Sequence, residues 1–324
     1  MAFSPGHKHI IVNYHYVGEP RKDRGGFHPC SIKEFEKQVA YLNREFTMTS
    51  PDKVFEAAKK ESPEKLCALT FDDGLKDNFV NAVPILEKYD VPGTFFIIAD
   101  TFSGFLPATH KMHWLLSLKS AEDLVDSYNL FLRTSFPRVA EISLISKTER
   151  LSRERKLYDD VPTANLKETM NRASRNIRDA YMRMLFKELA LDERTLTREL
   201  FMGKNEIEKL HAMGHYIGSH GCSHEALDTM DDTLIKKEIF VSKKILEDML
   251  NEEATIFAYP HSAPSMSLQT ILEESGTHYA FTTERREVRK DDSQYMVPRY
   301  DTNDIRDFLT RSDPAKGRGS LRAA

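Results

Sequence analysis

Leu69-Thr70-Phe71-Asp72-Asp73-Gly74 is the stretch that decides how this chain is read. Cys67 to Phe71 is apolar and β-prone, the pattern of a strand buried on both faces. It runs into two adjacent carboxylates and a glycine. Neighbouring side chains on a strand point to opposite faces. At the strand's end the chain must turn, and Gly74 permits that turn. Both acids can then face one cleft. Carboxylates side by side repel, and a cation relieves the repulsion. The competing reading is a helix start, with Asp72 or Asp73 capping a helix from Leu75 to Tyr89.

Working outward, strand and helix patterns alternate. Ile10 to Tyr16 reads as a first strand ending near His15. Ser31 opens a helix, with Glu34 at capping-box spacing. Phe46 to Met48 reads as a short strand, and Ser50-Pro51 starts a helix through Lys60. A helix from about Asp77 to Tyr89 contains Pro84, a kink signal. Thr94 to Ala99 is another buried strand. From about Phe105 to Leu200 no strand pattern is found; Leu115–Phe131 and Asn165–Leu200 read as long, charged helices. The arginines there, Arg172, Arg175, Arg178 and Arg183, read as a solvated face or as part of an insertion that sits over a site and shapes what enters. Alternation then resumes. Lys204–Met213 is a helix stopped by Gly214, and His215–His220 is a strand. Thr233–Leu250 is a helix, followed by strands at Thr255–Tyr259 and His278–Thr283, with a helix at Ser267–Ser275 between them. A last short strand ends at Arg299, and the chain after Ser312 is expected to fray. The expected fold is α/β: a distorted (β/α) barrel of about seven strands with a long helical insertion. Residues 1–104 and 201–311 form the barrel, 105–200 the insertion, and 312–324 a disordered tail. Chemistry in such barrels sits at the C-terminal strand ends.

The totals exclude several classes. The 324 residues carry a formal charge of -4, which gives no basic footprint for nucleic acid. Cys30, Cys67 and Cys222 do not form a disulfide pattern, which favours a reducing compartment. The first residues lack the apolar core of a signal peptide, and no apolar run is long enough to span a membrane. The expectation is a cytoplasmic protein.

His220 and His224 lie four apart in Gly218-Ser219-His220-Gly221-Cys222-Ser223-His224. A helical turn after the strand would put both imidazoles on one face. Two histidines plus one carboxylate make a three-ligand metal site with an open position. The plain alternative is a hydrogen-bonded structural pair. Cys222 points away from both at this spacing and reads as buried filler.

Thr70-Phe71-Asp72-Asp73-Gly74 followed by His220-xxx-His224 resembles the polysaccharide deacetylase family, the NodB-homology domain of carbohydrate esterase family four. The resemblance covers about residues 9–104 and 201–300. It implies a divalent metal, most often Zn2+, held by Asp73, His220 and His224, with Asp72 as catalytic base. It implies removal of acetyl groups from an N-acetylated sugar, polysaccharide or glycolipid precursor. Phe257-Ala258-Tyr259-Pro260-His261 resembles the family's third motif, in which backbone after the proline helps form the oxyanion hole. The arginine that steadies the base in many members is replaced here by Ala258, and Arg299 is the candidate substitute. The late strand ending in the acid histidine is missing, and His15 is the candidate general acid. Tyr259, Pro260 and His261 are candidate substrate contacts. Trp114, beside His110 and His113, is a candidate sugar platform, with a core role as the plain alternative. The alternatives in function are hydrolysis of a small non-sugar amide or imide on the same fold, and a non-catalytic glycan-binding homologue. The insertion is a candidate surface for pairing with a second copy of the chain.

Overall fold

The architecture described below is that of a computed structural model, which describes residues 3–4, 6–152, 159–261 and 266–311. The expected tail at 312–324 lies outside the described residues. Strands and helices follow in the order β1 (His9–Tyr14), α1 (Ile32–Glu45), β2 (Thr47–Met48), α2 (Pro51–Lys59), β3 (Leu66–Phe71), α3 (Val83–Tyr89) and β4 (Gly93–Ile97). A helical block comes next: α4 (Ala108–Leu118), α5 (Ala121–Ser135), α6 (Pro137–Ser143), α7 (Val161–Arg172), α8 (Arg175–Glu188) and α9 (Glu193–Leu200). The chain then returns through α10 (Lys204–Ala212), β5 (Tyr216–Ser219), α11 (Asp232–Leu250), β6 (Ile256–Ala258), α12 (Met266–Glu274), β7 (Tyr279–Phe281), β8 (Tyr300–Asp301) and α13 (Thr302–Arg311).

The strands pair in the order β7-β6-β5-β4-β3-β1-β8, with β2 on the flank of β3. Every paired strand is parallel to its neighbour. β1 and β3 are the spine: His9 lies opposite Leu66 and Tyr14 opposite Phe71, and all twelve residues are buried. Apolar side chains on both faces make this segment strand and nothing else. The ring is completed irregularly. Val297 bridges Phe281 of β7, and three residues later Tyr300 pairs with Val12 of β1. This is a distorted (β/α) barrel. The segment at Met296–Arg299, expected as a strand, is a single bridge, and the regular pairing falls one step later at Tyr300–Asp301.

The helix expected from about Asp77 is present: helical residues run without a break from Lys76 to Tyr89, with a wide π-type stretch at Asn78–Ala82 just before Pro84. One expectation for the helices needs correction. The long charged helices are several short ones. Ser120 accepts from Asp123 N and starts α5; Asp192 accepts from Thr195 N and starts α9. Between 105 and 200 the described residues contain no strand. Their apolar faces share a cluster that includes Leu115, Tyr128, Leu166 and Tyr181. Tyr16, Phe27, Leu75 and Ile98 from the barrel loops enter the same cluster, so the helices are docked on the barrel rather than hung beside it. Among the described residues no helix is long and apolar enough to cross a membrane.

Candidate metal centre and the cavity above the barrel

β3 delivers Asp72 and Asp73 to the C-terminal end of the barrel, and both are buried. Asp73 has φ +75 and Gly74 φ +72. This left-handed pair turns the chain out of the strand and brings both carboxylates to one cavity of about 950 Å³. The helix-cap reading of these acids fails: the helix that follows begins at Lys76, and the carboxylates take side-chain partners instead of its first N–H groups.

Asp72 is held from two directions. Arg299 donates from Nη1 to Oδ1 at 2.7 Å and from Nη2 to Oδ2 at 2.8 Å. Asn13 Nδ2 donates to Oδ2 at 2.9 Å. Arg299 is itself 1% exposed and anchored by its Nε on the carbonyl of Thr282. Burial alone would push the Asp72 carboxyl up. The Arg299 guanidinium and His220 outweigh it and hold Asp72 below its ordinary range. The guanidinium therefore arrives from β8's approach rather than from position 258. Asn13 was missed in the sequence. Its signal was a polar residue inside an apolar strand, which in a buried setting must have a partner.

Asp73 meets three imidazoles. Its Oδ1 lies 3.3 Å from His220 Nε2 and 3.1 Å from His224 Nε2. Neither approach has hydrogen-bond direction, so Oδ1 is a buried acceptor with no donor. Its Oδ2 pairs with His110 Nε2 at 3.2 Å. One ligand atom each from Asp73, His220 and His224 lie within 4.8 Å of one another. His220 Nδ1 faces the carbonyl of Ala258 at 2.8 Å. That partner holds the ring proton on Nδ1 and leaves the Nε2 lone pair aimed at Asp73. Burial lowers the proton affinity of His224, which favours the neutral ring that a ligand needs, whereas at His220 burial is outweighed by Asp72 and Asp73, which raise it. An anionic oxygen without a donor and two imidazole nitrogens around one point fit a divalent cation of the zinc type. The two histidines converge through a loop: 220–224 is not helical, and His224 takes φ +59. Cys222 is buried against the carbonyls of Lys237 and Glu238, away from the imidazoles.

His15, one residue past β1, lines the same cavity, as do Tyr259 and His261. Tyr259 is buried and donates its hydroxyl to the carbonyl of Tyr295. Pro260, next along the chain, is buried. His261 has φ +57 and contacts Thr109 Oγ1 at 3.0 Å. Trp114 does not line the cavity. It packs edge-on to Phe27, with the Arg24 guanidinium 4.9 Å above its ring, inside the core of the helical block. The expectation of a sugar platform is corrected: the helical face that carries Trp114 is turned to that core. His110 was overlooked because a histidine among Met112, Trp114 and Leu115 reads as core.

Two buried carboxylates and two histidines at the C-terminal strand ends of a parallel barrel stand where active sites of this architecture are built. Residues 59–113 and 158–280, more than half of the chain, match the family described as polysaccharide deacetylase, and the chain belongs to that family. The curated protein YxkH of Bacillus subtilis strain 168 is 34% identical over 106 residues. That match covers 32% of this chain and about a third of the relative's length. The fold is similar to that of the deacetylase PplD of Streptococcus pyogenes, with a TM-score of 0.59 at 15% identity over 96% of this chain and 100% of that one. It is also similar to IcaB of Ammonifex degensii, with a TM-score of 0.54 at 17% identity over 91% of each chain.

Proposed function

We propose that the protein is a metal-dependent hydrolase that removes acetyl groups from an N-acetylated sugar within a glycan or glycolipid precursor. One observation carries this reading: the donor-free Oδ1 of Asp73 between His220 Nε2 and His224 Nε2, with the ionised Asp72 next to it. Asp73, His220 and His224 would hold a divalent ion, zinc by the chemistry of the donors. When bound, such an ion polarises the acetyl carbonyl and lowers the pKa of water.

The remaining work belongs to the chain's own side chains. Asp72 accepts the proton of the attacking water. A carboxylate oxygen has two acceptor sites, and Oδ1 uses one of them on Arg299, so one remains for that proton. Arg299 and Asn13 fix the direction of the carboxylate and keep it charged. As water's oxygen bonds to the acyl carbon and the C–N bond breaks, the departing amine needs a proton. His15, which lines the same cavity, would donate it. Tyr259 and His261, which line the cavity, would contact the sugar, while Pro260 between them is buried and does not line it.

Acetate release from acetylated oligosaccharides and lipid-linked sugars tests the reading, with and without chelator. The expected result is release that stops on chelation and returns with zinc. In Asp72→Asn, turnover falls by about 10²–10⁴-fold while zinc stays bound. His15→Ala loses most of its turnover together with the alkaline limb of the pH–rate profile. A protein that binds acetylated glycans but releases no acetate in any arm would instead be a glycan-binding homologue.

A further inference from the structure

The helical block between β4 and α10 reaches the candidate metal centre at two buried points. On α4, His110 is completely buried and places Nε2 against Asp73 Oδ2. The carboxylate fixes its proton on that nitrogen, and its Nδ1 is buried without a partner. The ring packs edge-on to Phe201, at the point where the chain leaves α9. There Met202 N donates to the carbonyl of Gly74, so the exit from the block is tied to the Asp-Asp-Gly turn itself.

On α8, Arg178 is 4% exposed. It grips both oxygens of Glu225, with Nη1 to Oε2 at 2.6 Å. Arg175 adds a bond from Nη2 to Ser223 Oγ at 3.1 Å. Ser223 and Glu225 flank His224. From the barrel side, Glu238 on α11 accepts from Cys222 N, Ser223 N and Ser223 Oγ. The loop carrying His224 is thus held between one carboxylate of the barrel and two guanidiniums of the helical block, of which Arg178 is the buried one.

These two points coincide with the backbone strain. Asp73 at φ +75 and His224 at φ +59 are non-glycine residues in the left-handed region. Such a conformation persists only where the surroundings over-determine it. For core packing alone, a buried charge pair is an expensive device. For holding a strained ligand loop it is a direct one.

We infer that the helical block is a working part of the metal centre, with His110 and Arg178 as positioning residues that hold Asp73 and His224 in place for the ion. The inference rests on the metal reading given above. Neither residue is among those that line the cavity. Each acts through the ligand it holds, and removing it leaves the ligand present but free to turn. Outer partners of this kind typically change metal affinity by about 10–100-fold.

Zinc affinity measured by chelator competition on the full chain tests this, with the metal-free melting temperature recorded alongside. His110→Phe keeps the ring and removes the donor; affinity is expected to fall at least tenfold. His110→Gln puts an amide N–H near the place of Nε2 and is expected to recover most of the loss, which a purely space-filling role would not produce. Arg178→Met is expected to lose at least tenfold as well. Where that variant does not fold, Arg178→Met/Glu225→Gln, which leaves no unpaired carboxylate, is measured in its place with the same expectation. Zinc binding within twofold of the unaltered protein in either His110→Phe or the Arg178 variant overturns the inference. Failure of the unaltered protein to bind zinc overturns the metal reading instead.

Discussion

Arg299 turns both terminal nitrogens on one buried carboxylate. Replacing it by Met leaves Asp72 buried with Asn13 as its side-chain donor and His220 nearby, without the guanidinium. Breaking a buried pair in this way costs about 3–5 kcal/mol. The predicted result is a loss of that size in urea unfolding, with a smaller loss for Arg299→Lys, which keeps the charge but not the two-pronged bond. Far from the cavity, His215 is a second buried polar residue, and its Nδ1 accepts from Gly93 N at 3.0 Å. Burial holds its proton affinity below the ordinary value of 6.5, against a weaker pull from Glu87. The unfolded chain therefore takes up this proton first. The stability this residue contributes is complete above pH 6.5 and is lost as pH falls through the lowered folded value. His215→Asn keeps an acceptor for Gly93. Its melting temperature is predicted to fall less between pH 7 and pH 5 than that of the unaltered protein, to an extent on the order of a single histidine's linkage.

The elements explain which of these residues were legible beforehand. Asp72, Asp73 and His220 announce themselves because each follows directly on an apolar strand, so the strand end fixes the place. Asn13 and Arg299 are harder, because their partner is set by the pairing of β1, β3 and β8, which no local pattern reveals. The helical block was the least legible. Ser120 and Asp192 are caps sitting inside charged runs, where a short polar residue looks like any other. Arg178 shares its helix with Arg175 and Arg183, and only tertiary contact makes it the buried one. One contact of the block can be tested alone. A Cβ added to Gly26 would meet the carbonyl oxygen of His113 on α4 at 2.0 Å, and backbone cannot give way cheaply. Gly26→Ala is predicted to destabilise by about 1–3 kcal/mol. Because the displaced turn of α4 also carries His110, zinc affinity is predicted to fall with it, and both are measurable on one preparation.

At the scale of the whole molecule, the barrel gathers side chains from β1, β3, β5, β6 and the approach to β8, and the helical block closes over them. Such a centre couples metal to stability. An ion bound by the folded chain alone raises unfolding free energy by about 2.7 kcal/mol when present at a hundredfold over its Kd. Thermal melts with zinc and with chelator are predicted to differ accordingly, and the difference to vanish in His220→Ala/His224→Ala. The most direct test is a crystal of the protein grown with zinc and recorded at the zinc absorption edge. The account predicts one anomalous peak bonded to Asp73, His220 and His224, with Asp72 adjacent and unbound. A map with no peak among those three side chains contradicts it.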